Sequence, residues 1–164
     1  MVSLNEHIKE YSIQLSRGNI QKAYKGIMTF MSELKASLNR KYPNYAISAV
    51  YPGYMDMTYF AFSPPSLKEM RLKIAIVFLH EPCIFEVWLA GKNREIQAKY
   101  IKDMSHKDLK GHSLSQVEPC VDAILSSVII EKPDFDHPEE LRQEIESKTM
   151  AFIEDMNLLL NIKA

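Results

Sequence analysis

Several features are scarce in this sequence, and each shortage narrows the class of protein. Only 2 of the 164 residues are cysteines, and these two lie far apart. Cytosolic thiols usually stay reduced, so we expect Cys83 and Cys120 to be small apolar side chains without a disulfide. No apolar run approaches the roughly 18 residues of a membrane span, and the first residues do not resemble a signal peptide. We therefore expect a cytoplasmic protein with no membrane partner.

The chain also lacks an excess of charge of either sign. Its 20 lysines and arginines nearly balance 21 aspartates and glutamates, which gives a formal net charge of -1. Nucleic-acid-binding domains usually carry a basic surplus, so a nucleic-acid partner is not favoured. The 5 histidines match no familiar zinc spacing, and no serine lies in a nucleophile-elbow context. We predict no metal site and no cofactor, and no catalytic residue can be assigned.

Hydrophobic residues make up 46% of the chain, enough for one continuous core in a single domain spanning residues 1–164. Ser3 and Glu6 have the form of a capping box, which predicts a first helix, and a second apolar stripe at helical spacing follows Gly18. Four β-rich runs come next, from residue 45 to residue 90. The links between them are short, which favours antiparallel pairing because a parallel crossover needs about a dozen residues.

The last third of the chain returns to mixed elements. Asn93 caps a predicted helix, a polar and flexible loop is expected from residue 105 to 119, and "VDAILSSVII" reads as a fifth strand at 121–130. Asp136 and Glu139 predict a capping box for a long final helix. The resulting order, ααββββαβα, predicts an α+β domain with a mainly antiparallel sheet packed with helices.

The stretch "CIFEVWLA" places Glu86 among apolar residues, two positions before the only tryptophan. If residues 80–82 form a three-residue hairpin loop, Glu86 lies opposite Ile76 and both faces of the hairpin are apolar. Such a hairpin should be covered on both sides, by helices or by a second subunit, so Trp88 should be largely buried. A buried carboxylate needs a partner. The candidates for that partner are Arg71, Lys73, Arg94, Tyr59 and the indole of Trp88.

Two interpretations of Glu86 remain open: a structural ion pair, and a pocket carboxylate that binds or catalyses. The residues after its strand favour a site, because Gly91 to Arg94 open a helix whose free N–H groups and nearby cations suit an anion. The candidate ligand-binding residues are Asp56, Tyr59, Glu86, Trp88, Lys92, Asn93 and Arg94.

The runs "YPGYMDMTYFAF", "LKIAIVF" and "FEVWLAGKNREIQAKY" resemble a family of small bacterial proteins known only as a domain of unknown function. The resemblance covers nearly the whole chain. It implies no catalytic role, because the family has no established activity.

A more distant resemblance is to the restriction-endonuclease-like fold, which places an acidic residue on one strand and an acid-x-Lys motif on the next. Asp56 and Glu86 could take the acidic positions. Trp88 stands where that motif has its lysine, so Lys99 or Lys102 would have to substitute for it. The analogy therefore concerns the fold and not the activity.

Three functions follow as expectations. The leading one is a non-catalytic or small-ligand-binding protein with an aromatic-lined pocket on the sheet, which would take a small or anionic ligand. The alternative is a metal-dependent nuclease, or its inactive relative, in which Asp56 and Glu86 hold Mg²⁺. The second alternative is an interaction protein whose apolar hairpin packs in a homodimer.

Overall fold

The computed structural model describes residues 1–118 and 122–162. Cys120 lies outside the described residues, as does the start of the predicted fifth strand at residue 121. Within the described residues the chain forms five helices: α1 (Leu4–Ser16), α2 (Asn19–Lys41), α3 (Pro65–Glu69), α4 (Arg94–Met104) and α5 (Pro138–Leu159). None of these helices has both the length and the apolar content that crossing a membrane requires.

The strands of the described residues form one sheet in the order β1-β2-β3-β4-β6-β5. Every neighbouring pair in it is antiparallel. The α+β class and the antiparallel sheet predicted from the sequence are thereby confirmed. The strands are β1 (Ala46–Ile47), β2 (Met57–Ser63), β3 (Leu72–Leu79), β4 (Ile84–Gly91), β5 (Ser113–Leu114) and β6 (Ala123–Ile130).

The element order differs from the prediction in short segments. The link after β2 contains α3, which begins at Pro65, where a proline costs no helical hydrogen bond. The polar stretch after residue 105 contains β5, which pairs with β6. The same stretch is tied to α5, because Lys107 Nζ donates to Leu159 O at 2.7 Å and His112 Nε2 lies 2.8 Å from Asp155 Oδ2.

The two predicted capping boxes have different outcomes. At α1, Glu6 N donates to Ser3 Oγ at 3.3 Å and Ser3 N donates to Glu6 Oε2 at 2.6 Å, so the prediction is confirmed. At α5 it is wrong: the helix is preceded by His137 and makes no side-chain cap. Pro138 in the first turn of α5 has no backbone N–H, so one fewer donor is available there for a capping side chain.

The predicted hairpin register between β3 and β4 is wrong by one residue. Leu79 pairs with Ile84 and Glu86 pairs with Val77, so the loop has four residues, 80–83. The turn closes with Cys83 in the left-handed region, at φ 54°, and Cys83 is an exposed free thiol, not the apolar side chain expected. A slip of one residue moves every β3 side chain to the other face of the sheet.

With the observed register, the two faces of the sheet differ sharply. One face packs against α2 and α5 and carries the core, which includes Phe60, Phe62, Ile74, Ile76, Phe78, Phe85, Val87 and Leu89. We call the opposite side the open face; it carries Met57, Tyr59, Lys73, Ala75, Val77, Glu86 and Trp88.

The open face is only partly covered. Tyr59, Lys73, Glu86 and Trp88 are all partly exposed, so Trp88 is mostly but not fully buried. Val77 is nevertheless fully buried, because it lies between Tyr59 and Glu86 on the neighbouring strands. The sheet therefore alternates between a core side and a half-exposed side, as an antiparallel sheet with one covered face does.

Candidate functional site

Glu86 and Trp88 interact directly on the open face. They are two residues apart on β4 and so project from the same side of the strand. The indole Nε1 of Trp88 donates to Glu86 Oε2 at 3.2 Å. Within the described residues this is the only hydrogen bond or ion pair of the Glu86 carboxylate. The partner expected for Glu86 is thus the indole, one of the candidates, and not a lysine or arginine.

A cavity of about 300 Å³, which we call the aromatic cavity, opens beside Trp88. It brings together four of the sequence-predicted residues, Tyr59, Trp88, Asn93 and Arg94. The aromatic cavity is completed by Met57, Lys73, Ala75 and Asp122. Glu86 stands next to Trp88 but does not line it.

Charge in the aromatic cavity comes from three side chains. Lys73 Nζ lies 2.9 Å from Asp122 Oδ2, in a pair that is partly exposed on both sides. Arg94 is the first residue of α4, and within the described residues its guanidinium has no ion-pair partner. The charges of Lys73 and Asp122 offset each other. The charge of Arg94 therefore makes the aromatic cavity formally positive.

The start of α4 is fixed by Asn93. Its side-chain oxygen accepts a hydrogen bond from Ile96 N at 2.9 Å, as an N-cap does, and its carbonyl accepts from Gln97 N. Gly91 before it has no space for a side chain, because a Cβ there would lie 2.8 Å from Gln97 N. The tight turn between β4 and α4 therefore fixes the position of Arg94 at the end of the sheet.

Asp56 lies away from the aromatic cavity and organises the loop before β2. Its Oδ1 accepts hydrogen bonds from Tyr54 N at 2.9 Å and Met57 N at 2.8 Å. These backbone donors stabilise the charged carboxylate and lower the pKa of Asp56, the bond from Tyr54 being the largest cause. Asp56 is thus a loop residue in this structure and lines none of the cavities described here.

Asp56 and Glu86 are not brought together. Glu86 lies level with Tyr59, two strands away. Asp56 precedes Tyr59 by three residues, in the loop just before β2, which places Asp56 and Glu86 roughly 14 Å apart. Within the described residues no group of three or more histidine, cysteine, aspartate or glutamate side chains could hold a metal.

Lys92 belongs to a second cavity, of about 600 Å³, which we call the basic cavity. Its backbone N–H donates to Arg71 O at 3.0 Å, which holds the start of β3 beside the end of β4. Lys73 lines both cavities, so the two adjoin on the open face.

Four residues of the aromatic cavity were not among the sequence-predicted site residues, and two of these four, Lys73 and Asp122, are charged. Lys73 would have been found with the correct hairpin register, because strand alternation then places it on the open face with Ala75. Asp122 carried no local signal. It reaches the aromatic cavity through the pairing of β6 with β4, at whose end Gly91 N donates to Asp122 O at 3.1 Å.

Comparison with known proteins gives one match. No curated protein and no solved structure is similar to the chain. A family model matches residues 4–160, and its description agrees with the resemblance seen in the strands and in the turn after β4. The chain therefore belongs to the family described as Domain of unknown function (DUF7000).

Proposed function

We propose that the protein binds a small ligand with a planar ring and an anionic group, in the aromatic cavity of the open face. The observation that carries the proposal is that Tyr59 and Trp88, both partly exposed, line one cavity with Arg94 and Lys73. Apolar and aromatic walls with a few placed polar groups are typical of small-molecule sites.

The aromatic wall is preorganised. Trp88 is held by its hydrogen bond to Glu86, and Tyr59 contacts the ring of Tyr51, with ring centroids 5.0 Å apart. Side chains that are already oriented lose little freedom when a ligand binds, so more of the contact energy contributes to affinity.

The charges around the aromatic cavity determine the orientation of a bound ligand. Along β4, Glu86 lies on one side of Trp88, and Ala90, which pairs with Lys73, lies on the other. An anionic group is repelled by Glu86 and attracted by Lys73 and Arg94. The ring would therefore rest near Trp88 while the anionic group points toward the start of α4.

Trp88 is the only tryptophan, so its fluorescence reports directly on the aromatic cavity. Titration with adenosine monophosphate and with benzoate tests the proposal, since each has a planar ring and one anionic group. We expect saturable quenching, and Arg94→Gln should weaken binding about tenfold, the loss of one charge-assisted hydrogen bond. Arg17→Gln, at the end of α1, is the matched control and should leave binding unchanged.

Two outcomes would contradict the proposal. In the first, neither probe quenches the fluorescence of Trp88 saturably. In the second, Arg94→Gln and Arg17→Gln have the same effect on binding. A Tyr59→Ala variant adds an independent check, because it removes the second ring of the aromatic cavity and leaves every charge in place.

A second candidate function, a homodimeric interaction protein, is favoured by α1. No residue of this helix is buried, and its apolar stripe is open to solvent, with Leu4 73%, Ile8 52% and Tyr11 59% exposed. Helices of this length are marginal in water without packing. In a dimer whose two copies exchange α1, each α1 helix would pack against the other copy.

Size-exclusion chromatography with light scattering tests this second candidate. We expect a dimer that Ile8→Glu converts to a monomer. Lys9→Glu is the control, because Lys9 projects about 100° away from Ile8 around the helix. A monomeric wild-type protein at high concentration would rule it out.

A further inference from the structure

The basic cavity carries more cationic than acidic side chains. Four cationic side chains line it, Lys68, Arg71, Lys73 and Lys92, against one acidic side chain, Glu69. Their formal sum is +3, or +2 when the pairing of Lys73 with Asp122 is counted, on a chain whose net charge is -1. This end of the open face therefore carries a local excess of positive charge.

The fold holds these cations together. The hydrogen bond from Lys92 N to Arg71 O and the pairing of Leu72 with Gly91 fix both residues at one end of the sheet. Within the described residues, Lys68, Arg71 and Lys92 have no ion-pair partner. Like charges held close together repel one another, and a bound anion removes that repulsion.

The lining of the basic cavity also includes the apolar residues Ala46, Ile47 and Ala61 and the buried Leu72. Apolar surface beside the cations displaces part of the surrounding water, so an anion there interacts with them more strongly than it would in bulk solvent.

Lys73 joins the basic cavity to the aromatic cavity. Its partner Asp122 lies 2.9 Å away and offsets its charge, so among the described residues Lys68, Arg71 and Lys92 supply the unpaired positive charge of the basic cavity. A ligand whose first anionic group lies near Arg94 would pass Lys73 and extend toward Lys92.

We infer that the basic cavity binds a second anionic group of the same ligand, so that the ligand class is a planar ring followed by a chain of two or more phosphate or carboxylate groups. The inference rests on the proposed function, because the ring is placed by Tyr59 and Trp88. It adds a second subsite and a charge requirement that the aromatic cavity alone does not impose.

Matched probes separate the two subsites. Adenosine mono- and diphosphate share a ring and differ in charge, and an aromatic monocarboxylate compared with a dicarboxylate tests whether carboxylate replaces phosphate. In low salt we expect the diphosphate to bind about tenfold more tightly than the monophosphate. In Lys68→Gln/Lys92→Gln the ratio of the two affinities should fall to about one. Arg71 is left unchanged, because it holds a left-handed backbone at φ 58°.

The control variant is Lys132→Gln, an exposed lysine outside both cavities, which should keep the wild-type ratio. If the monophosphate binds and responds to Arg94→Gln but the diphosphate binds no more tightly, this inference fails and the proposed function stands. An unchanged ratio in the double variant overturns it as well. If no ring probe binds at all, the proposed function has failed and this inference fails with it.

Discussion

The indole of Trp88 donates to the carboxylate of Glu86 across 3.2 Å, along one strand and on the half-exposed side of the sheet. This hydrogen bond explains why a glutamate sits among apolar residues on β4. It orients the only tryptophan of the chain at the edge of the aromatic cavity. Under the proposed function, Glu86 positions Trp88, and other side chains would recognise the charge of the ligand.

Replacing Glu86 by glutamine should therefore cost little stability. The glutamine oxygen can still accept from the indole, so we expect the free energy of unfolding to fall by about 1 kcal/mol or less in urea denaturation. Glu81→Gln, in the exposed hairpin turn, is the control. A loss of about 3 kcal/mol or more would instead identify Glu86 as a member of a buried ion pair.

His80 should make stability depend on pH. Thr58 Oγ1 donates to Pro52 O at 2.7 Å, so it accepts from His80 Nε2 at 2.8 Å, which places the proton of the neutral ring on Nε2. Burial lowers the pKa of His80 below 6.5, with Asp56 acting in the opposite direction. The unfolded chain then takes up the proton first, so stability is present above about pH 6.5 and is lost as the pH falls toward the folded pKa.

The measurement is urea unfolding at several pH values from 5 to 7.5, comparing the parent with His80→Gln. We expect a smaller slope of unfolding free energy with pH in the variant. Both proteins should carry His137→Gln, because Asp134 raises the pKa of His137 and gives a contribution of opposite sign. That contribution is present below about pH 6.5 and is lost as the pH rises through the raised pKa. Equal slopes would show that His80 does not carry the dependence.

Tyr42 should stabilise the contact between α2 and α5. Its hydroxyl donates to Glu146 Oε1 at 2.9 Å, and Lys41 Nζ lies 2.7 Å from Glu146 Oε2. Tyr42→Phe keeps the ring contact with Phe62 and removes only the hydrogen bond, so we expect a loss of about 1 kcal/mol in chemical denaturation. Tyr45→Phe is the matched control, because within the described residues the Tyr45 hydroxyl makes no hydrogen bond. Equal losses would contradict the assignment.

Gly53 should tolerate no side chain. It has φ 72°, and a Cβ there would overlap the carbonyl oxygen of Met57 and lie 2.8 Å from Asp56 Oδ1. Gly111 has φ 83° with nothing within 4 Å, so Gly111→Ala isolates the backbone cost of about 1 kcal/mol. Gly53→Ala should lower the melting temperature clearly more than Gly111→Ala does. Similar melting temperatures would show that the loop adjusts freely.

Much of the architecture was predictable because it depends on local patterns. The Ser3 capping box, the apolar stripe of α2 and the short links between the β-rich runs each indicate an element or a pairing direction from neighbouring residues alone. The end of β4 was predictable in the same way, since Asn93 is a capping residue immediately before a helical run. These features led to the α+β class and to Asn93 and Arg94 of the aromatic cavity.

The sequence by itself thus indicated the longer helices and strands, but not the short α3 and β5, and it indicated that the strands pair antiparallel. Only the tertiary structure decided which side of β3 faces the core, because the register depends on a turn in which a non-glycine residue, Cys83, adopts a left-handed backbone. It alone brought Asp122 to Lys73, residues distant along the chain that meet where β6 pairs with β4. It also left α1 without buried residues, although its apolar stripe looks like any core helix. The spacing of apolar residues along the chain determines whether a segment is a helix or a strand. The surface against which its apolar side chains pack is formed by residues far away in sequence.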